Sequence, residues 1–145
     1  MWTNNLRSMG RINKLLSISF LVFMVFISCQ SPNEKIKKAV IKYLPEETTI
    51  MVAVTCESMD YVTGGTLQKS KTIIDRTFLE NLNEELDKLK PEQQEKSIDI
   101  RIKLIIEYEN RSDTLCLGEF FDTVLNGELM EDNPRLLDFI KSKIY

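Results

Sequence analysis

The strictest constraint on the fold comes from residues 98–108, where apolar and polar side chains alternate. Isoleucine, leucine or tyrosine occupies every even position of this segment, and four of the five odd positions carry a charge. Successive side chains of a β-strand point to opposite faces of the sheet, so the segment predicts a long strand with one buried and one wet face. Such strands are typical of antiparallel sheets.

Shorter patterns of β-branched and aromatic residues, separated by turn residues, predict the other strands. Asn126 and Gly127 favour a type I′ turn, because both central positions of that turn need positive φ, and they indicate a hairpin. The predicted strands are residues 49–63, 66–74, 98–108, 114–120, 122–125 and 128–130.

Three segments have the spacing and the end signals of helices, with Ser31, Asp75 and Asn133 as the predicted N-caps. The predicted helices are residues 31–44, 75–90 and 133–144. Together with the strands, the final short one not counted separately, they give the approximate order α-β-β-α-β-β-β-α. This order predicts an α+β fold, in which an antiparallel sheet has its helices packed on one face.

Composition restricts the functions that are open to this chain. Residues 29–145 suffice for a single small soluble domain. Three of the 19 basic residues and none of the 22 acidic residues precede Cys29, so this domain has a net charge of about −6. An acidic domain lacks the basic surface that binds nucleic acid. Since the chain has no histidine, Ser-His-Asp and Cys-His catalysis are excluded, and we predict no catalytic residue, metal site or cofactor.

The sequence leaves the pairing of Cys56 and Cys116 open. Export to an oxidising compartment favours a disulfide between them. Strand parity argues against it, because Cys56 shares the apolar face of its predicted strand, whereas Cys116 points away from its apolar neighbours Leu115 and Leu117. Two small, buried, free cysteines are the alternative.

An uncharged apolar run near the N-terminus, residues 15–27, has the organisation of a secretory signal. The run holds about 13 residues, whereas a helix needs roughly 20 to span a bilayer. Three basic residues precede the run, and no acidic residue lies before Cys29. A positive segment followed by a short apolar one predicts a signal peptide over residues 1–28.

The end of this run, Phe26-Ile27-Ser28-Cys29, resembles the lipobox of bacterial lipoproteins, although Phe26 stands where the family usually has Leu, Val or Ile. The resemblance is limited to the first 29 residues. It implies that signal peptidase II cuts before Cys29 and that acyl chains, palmitate among them, hold this cysteine in a membrane. Gln30 is not the aspartate of the inner-membrane retention signal, which implies the outer membrane of the cell envelope.

Exposed aromatic residues often mark a surface that binds another protein. On this ground Tyr61, next to the Gly64-Gly65 turn, and Phe121, in the Phe120-Phe121 pair, are candidates for contact with a partner. Glu128, beside the predicted hairpin turn, is a further candidate. Core packing is the alternative for Phe121.

Two threonines are candidates for modification. Asp113-Thr114-Leu115 and Asp122-Thr123-Val124 resemble the short acceptor pattern for O-glycosylation of exported Bacteroidota proteins. The resemblance implies Thr114 and Thr123 as acceptors. Ordinary strand threonines are the alternative.

These observations favour a lipid-anchored binding module of the cell envelope, periplasmic or surface-exposed, which inhibits or assists a protein partner. One alternative is a small envelope enzyme that acts through Asp and Glu carboxylates, as glycoside hydrolases do. Another is a ligand-carrying domain with a pocket under the sheet. A single indispensable carboxylate would distinguish the enzyme from the binding module.

Overall fold

Six strands form one antiparallel sheet in the part of the chain that the computed structural model describes, residues 34–62 and 66–145. They are β1 (Lys38–Tyr43), β2 (Lys69–Ile73), β3 (Ile100–Glu107), β4 (Ser112–Gly118), β5 (Thr123–Leu125) and β6 (Glu128–Met130). Their order across the sheet is β2-β1-β3-β4-β5-β6. The prediction of a mixed α+β fold with an antiparallel sheet is thus confirmed, and Glu34–Tyr145 forms one compact unit.

The long alternating segment forms β3, in the middle of the sheet. Leu104 lies opposite Ile41 of β1 and Leu115 of β4, and all three side chains are fully buried. The alternation breaks at one place, because a bulge between Ile100 and Ile102 inserts an extra residue into β3. The expectation that Ile100 shares a face with Ile102 is therefore wrong, since a bulge reverses which side chains face the core.

Two helices cover one face of the sheet, which we call the inner face. They are α1 (Arg76–Leu86) and α2 (Pro134–Ile144). The N-caps are the predicted ones: Asp75 accepts a hydrogen bond from the N–H of Phe78 at 2.8 Å, and Asn133 accepts one from Leu136 at 3.0 Å. The main core lies between these helices and the sheet. Neither helix is long and apolar enough to cross a lipid bilayer.

The predicted first helix is wrong where the structure describes it, because residues 38–43 form β1. Ala39 and Ile41 alternate with half-buried residues, and both are completely buried on the inner face. β1 lies between β2 and β3, so its backbone pairs on both sides. Pairing of this kind outweighs a helical spacing of apolar residues that is only two turns long. The predicted cap Ser31, the signal peptide and Cys29 lie outside the described residues.

The predicted strand over residues 49–63 is also wrong for residues 49–62, the part of it that the structure describes. This segment is irregular apart from a 3-10 turn at Ser58–Asp60. We call residues 44–62 the covering loop, because they pack across the face of the sheet opposite to the helices, which we call the outer face. Its buried residues form a second core with those of the sheet; the two sets together are Leu44, Val54, Cys56, Met59, Ile100, Cys116 and Val124. An apolar run therefore reaches burial here without pairing as a strand.

Candidate functional site

Residues 119–122, which connect β4 to β5, present two adjacent aromatic side chains to solvent, and we call them the aromatic loop. Phe120 is 71% exposed and Phe121 is 58% exposed. Burial of a phenylalanine side chain contributes roughly 1.5–3 kcal/mol to folding. Each of these two phenylalanines lacks most of that contribution. An exposed apolar pair of this kind is typical of a surface that contacts another molecule.

Asp122 holds the aromatic loop in its conformation. Its φ of 73° lies in the left-handed region, which is uncommon for residues other than glycine. The carbonyl oxygen of Asp122 accepts a hydrogen bond from the N–H of Gly118 at 2.8 Å, which closes the loop. The N–H of Asp122 donates to Oδ1 of Asp132 at 2.9 Å. Left-handed residues persist only where the surrounding structure determines them, and they cluster at functional sites.

The Asp122 carboxylate is buried, with 2% of the residue exposed. Its Oδ2 accepts a hydrogen bond from the N–H of Asp99 at 3.0 Å, and its Oδ1 lies 3.7 Å from Nζ of Lys96. Lys96 also donates to both carboxylate oxygens of Asp132, at 2.8 and 2.9 Å. Burial disfavours the charge of Lys96, but the bond to Asp132 and the two negative charges outweigh it and raise the pKa of Lys96.

Gly118 allows the backbone of the aromatic loop to pack closely against the end of β4. A Cβ atom at residue 118 would lie 2.0 Å from the carbonyl oxygen of Phe121. This close approach of two backbone segments needs a glycine, which carries no side chain. The two phenylalanines are consequently presented on a fixed backbone, so a partner would bind them without first ordering the loop.

Charged side chains lie around the two phenylalanines. Nζ of Lys141 is 5.4 Å from the ring centroid of Phe120 and 3.8 Å from a carboxylate oxygen of Glu46. Lys96 and Asp132 form an ion pair beside Asp122. Apolar anchors within a charged rim are the usual arrangement of a protein–protein contact.

The three predicted partner-binding residues are all exposed but do not form one site. Phe121 belongs to the aromatic loop. Glu128 begins β6 and is separated from Phe121 by the length of β5, three residues or about 10 Å. Tyr61 is 80% exposed and follows Asp60, whose carboxylate is bound by Lys42 of β1, on the other half of the sheet. The aromatic loop is therefore the candidate site, and it contains only Phe121 of the three.

Of the two predicted glycosylation acceptors, Thr123 is buried in β5 with 3% of the residue exposed. This burial disfavours its modification in the folded domain. Thr114 is half-buried on the outer face of β4, and its modification stays a prediction.

The structure contains a disulfide between Cys56 and Cys116, with 5.8 Å between the two Cα atoms. Cys116 points to the outer face, opposite to Leu115 and Leu117, as its strand parity indicates. The parity argument against the bond fails because Cys56 lies in the covering loop, above that face, and not in a strand of the sheet. The disulfide fastens the covering loop to β4.

A partly buried ion-pair cluster beneath the covering loop was missed by sequence reasoning. Nζ of Lys103 donates to Oδ2 of Asp60 at 2.6 Å and to the carbonyl oxygen of Cys56 at 3.0 Å, and Lys42 donates to Oδ1 of Asp60 at 2.7 Å. Burial would raise the pKa of Asp60, but the two lysines outweigh it and lower that pKa. Lys103 lies on the face of β3 that the alternation predicts to be wet. The burial of Lys103 depends on the covering loop, and no local sequence pattern indicates that this loop packs across the sheet.

No protein-family model, curated protein or solved structure matches the chain. In residues 34–62 and 66–145, no group of three His, Cys, Asp or Glu side chains has the arrangement of a metal site. The carboxylates near the aromatic loop, those of Asp99, Asp122 and Asp132, bind backbone N–H groups and cationic side chains. Their contacts position the loop, and the exposed aromatic pair is therefore the feature that indicates a function.

Proposed function

We propose that the chain is a lipid-anchored binding module of the bacterial cell envelope, which recognises a protein partner through Phe120 and Phe121 of the aromatic loop. The observation that carries the proposal is the exposure of both rings on a backbone fixed by Asp122 and Gly118. A few anchor residues, with aromatic side chains prominent among them, supply most of the binding energy of typical protein interfaces, and preorganisation lowers the cost of binding.

The electrostatics support a protein as the occupant and not a lipid surface. From Cys29 onward the chain has a net charge of about −6, which anionic lipid headgroups repel. The charges around the aromatic pair have both signs, with Lys141 and Lys96 beside Glu46 and Asp132. A mixed rim of this kind complements a protein surface, where charges of both signs are interspersed.

The lipid anchor in this proposal is supported by the sequence alone. It depends on the signal-like residues 1–28 and on the resemblance of Ser28-Cys29 to a lipobox. Two or more acyl chains give stable attachment to a membrane, whereas one chain gives only marginal attachment. The intact mass of the full-length protein from a bacterial membrane fraction tests the anchor independently. A mass for residues 29–145 plus acyl groups supports it, and a mass that retains residues 1–28 contradicts it.

Site-specific cross-linking tests the binding surface. The photoreactive residue p-benzoylphenylalanine replaces Phe121 in the full chain, expressed in the source bacterium. Glu80, exposed on α1 and far from the loop in sequence, receives the same residue as the matched control. We expect a discrete cross-linked protein from position 121 that is absent from position 80. Equal cross-linking from the two positions would count against the aromatic loop as the binding surface.

The partner identified in this way then allows a quantitative test. We expect the double variant Phe120→Ser, Phe121→Ser to bind it at least tenfold more weakly, because each truncated anchor costs about 1–2 kcal/mol or more. The change exposes no core residue, so the free energy of unfolding should be unaltered. Sedimentation with vesicles of phosphatidylglycerol and phosphatidylethanolamine tests whether the aromatic loop binds a lipid surface instead. Binding to these vesicles through the two phenylalanines would overturn the choice of a protein partner.

A further inference from the structure

The outer face of the sheet is only partly covered, and an open groove remains beside the covering loop. Its volume is about 410 Å³, within the range of roughly 300–1,000 Å³ that is typical of small-ligand sites. The side chains and backbone that line it belong to Cys56, Glu57, Lys103, Ile105, Thr114, Asn126 and Gly127. It is separate from the aromatic loop, whose residues do not line it.

The register of the sheet explains the floor of the groove. Lys103 lies opposite Cys116, and Ile105 lies opposite Thr114, in two neighbouring rows of the outer face. The disulfide brings the covering loop down onto the first row, at Cys56. The second row stays open, with Ile105 and Thr114 half-buried.

Both walls of the groove are held in place. On one side, Lys103 donates a hydrogen bond to the carbonyl oxygen of Cys56 at 3.0 Å. On the other side, the turn at Asn126 is fixed by reciprocal bonds to Thr114, each of 2.8 Å: Asn126 N–H to the Thr114 carbonyl, and Thr114 N–H to the Asn126 side chain. A groove with fixed walls loses little conformational entropy when a ligand enters it.

The groove carries one charge of each sign and an apolar floor. The Lys103 ammonium has three N–H donors, of which two bind Cys56 and Asp60. Glu57 is exposed. A hydrogen bond from its own backbone, another from Thr55 and the charge of Lys103 hold the pKa of Glu57 below its usual value, so the carboxylate is ionised at neutral pH. Ile105 supplies the apolar surface.

From this complementarity we infer that the groove binds a small zwitterion with an apolar side chain, either a free amino acid or a short peptide. The ligand carboxylate pairs with Lys103, its ammonium group pairs with Glu57, and its side chain covers Ile105. Neutral ligands lack both ionic contacts, and ligands with one charge lack one of them. The inference is independent of the protein partner proposed for the aromatic loop.

Titration followed by two-dimensional ¹H–¹⁵N NMR tests the inference on the oxidised chain from residue 30 onward, which contains the whole compact unit Glu34–Tyr145. The probes are glycyl-leucine, free leucine and the uncharged N-acetyl-leucinamide. We expect saturable shifts of the Glu57, Ile105, Thr114 and Gly127 amides with a zwitterion, and none with the uncharged compound. A response to glycyl-leucine alone identifies a peptide ligand, and an equal response to leucine identifies the amino acid.

The variant Glu57→Gln should weaken binding of the zwitterion about tenfold, because glutamine keeps an acceptor oxygen but loses the negative charge that pairs with the ligand ammonium. Glu57 is exposed, so this variant should fold normally. Glu80→Gln, outside the groove, is the matched control and should bind as the original chain does. The absence of saturable shifts up to about 10 mM ligand, or an equal response to N-acetyl-leucinamide, would overturn the inference.

Discussion

The backbone N–H of Asp99 donates a hydrogen bond to the buried carboxylate of Asp122 at 3.0 Å. Asp99 in turn accepts hydrogen bonds from the N–H of Val54 at 3.0 Å and from Arg101 at 2.6 Å. Asp122, which holds the aromatic loop, is therefore linked through Asp99 to the covering loop and to the bulge of β3. A change at Asp122 should consequently affect stability as well as the surface that presents Phe121.

We expect Asp122→Ala to lower the free energy of unfolding by about 1–3 kcal/mol, because the N–H of Asp99 loses its acceptor. Asp122→Asn should cost less, since asparagine keeps an acceptor oxygen and tolerates the left-handed conformation. Urea denaturation followed by circular dichroism measures both variants. Asp138→Ala, at an exposed position of α2, is the control and should change stability by less than about 0.5 kcal/mol. Equal losses for alanine at positions 122 and 138 would contradict this account.

Gly118→Ala should displace the aromatic loop. The added Cβ would lie 2.0 Å from the Phe121 carbonyl oxygen, so the backbone must move, at a cost of about 1–3 kcal/mol. NMR spectra should show shifted amide signals for residues 119–122. Gly127→Ala is the matched control, because nothing lies within 4 Å of its added Cβ, although its φ of 85° also strains alanine. Unchanged signals from residues 119–122 in the position-118 variant would show that the contact with Phe121 does not position the loop.

Local signals were sufficient for α1, α2, β4, the hairpin of β5 and β6, and β3 apart from its bulge. Asp75 and Asn133 cap the helices as predicted, and Asn126 and Gly127 adopt positive φ values of 52° and 85°. These features depend on residues a few positions apart, where capping and turn chemistry operate. A single sequence contains them in full.

The predictions from sequence fail where pairing between segments that are distant in sequence determines the structure. β1 has apolar residues that fit a helix as well as a strand, and only its neighbours β2 and β3 resolve the ambiguity. The covering loop has the composition of a strand but finds burial on the outer face instead. For the site, the exposure of Phe121 was among the alternatives that the sequence left open. The role of Asp122 was not predictable, because its partners Asp99 and Asp132 lie 23 and 10 residues away.

Loss of the Cys56–Cys116 disulfide should destabilise the domain by about 4 kcal/mol, the chain-entropy value for closing a loop of 60 residues. The variant with alanine at both positions should show this loss in urea denaturation under oxidising conditions. The original chain should lose a similar amount when a reductant is added, and the double variant should not respond to it. Identical unfolding of the original chain with and without reductant would contradict the prediction.

The Asp60 cluster should make stability depend on pH in the acid range. Lys103 and Lys42 lower the pKa of Asp60 below its usual value of 3.8, despite its partial burial. Its ion pairs therefore stabilise the fold above pH 3.8, and this stabilisation is lost as the pH falls through the lower pKa of the folded state. We expect Asp60→Asn to cost about 1–3 kcal/mol near neutral pH and less in acid.

Urea denaturation near pH 7 and near pH 3 measures this difference. Asp87→Asn, at an exposed position after α1 and outside the Asp60 cluster, is the control. A penalty for Asp60→Asn that is the same at both pH values would mean that the charge of Asp60 does not stabilise the fold.

Tyr108 should make stability depend on pH in the alkaline range. Burial and the negative charge of Asp113 raise its pKa from 10.0 to about 12. The stabilisation from the neutral phenol is complete below pH 10 and is lost as the pH rises through about 12. Tyr108→Phe removes the hydrogen bond to Asp113 and should cost about 1 kcal/mol near pH 8. The phenylalanine does not ionise, so this penalty should shrink and then reverse as the pH approaches 12.

Urea denaturation followed by circular dichroism measures the difference, with Tyr61→Phe, an exposed ring, as the control. A constant penalty from pH 8 to pH 12 would mean that Tyr108 is not kept neutral by its surroundings.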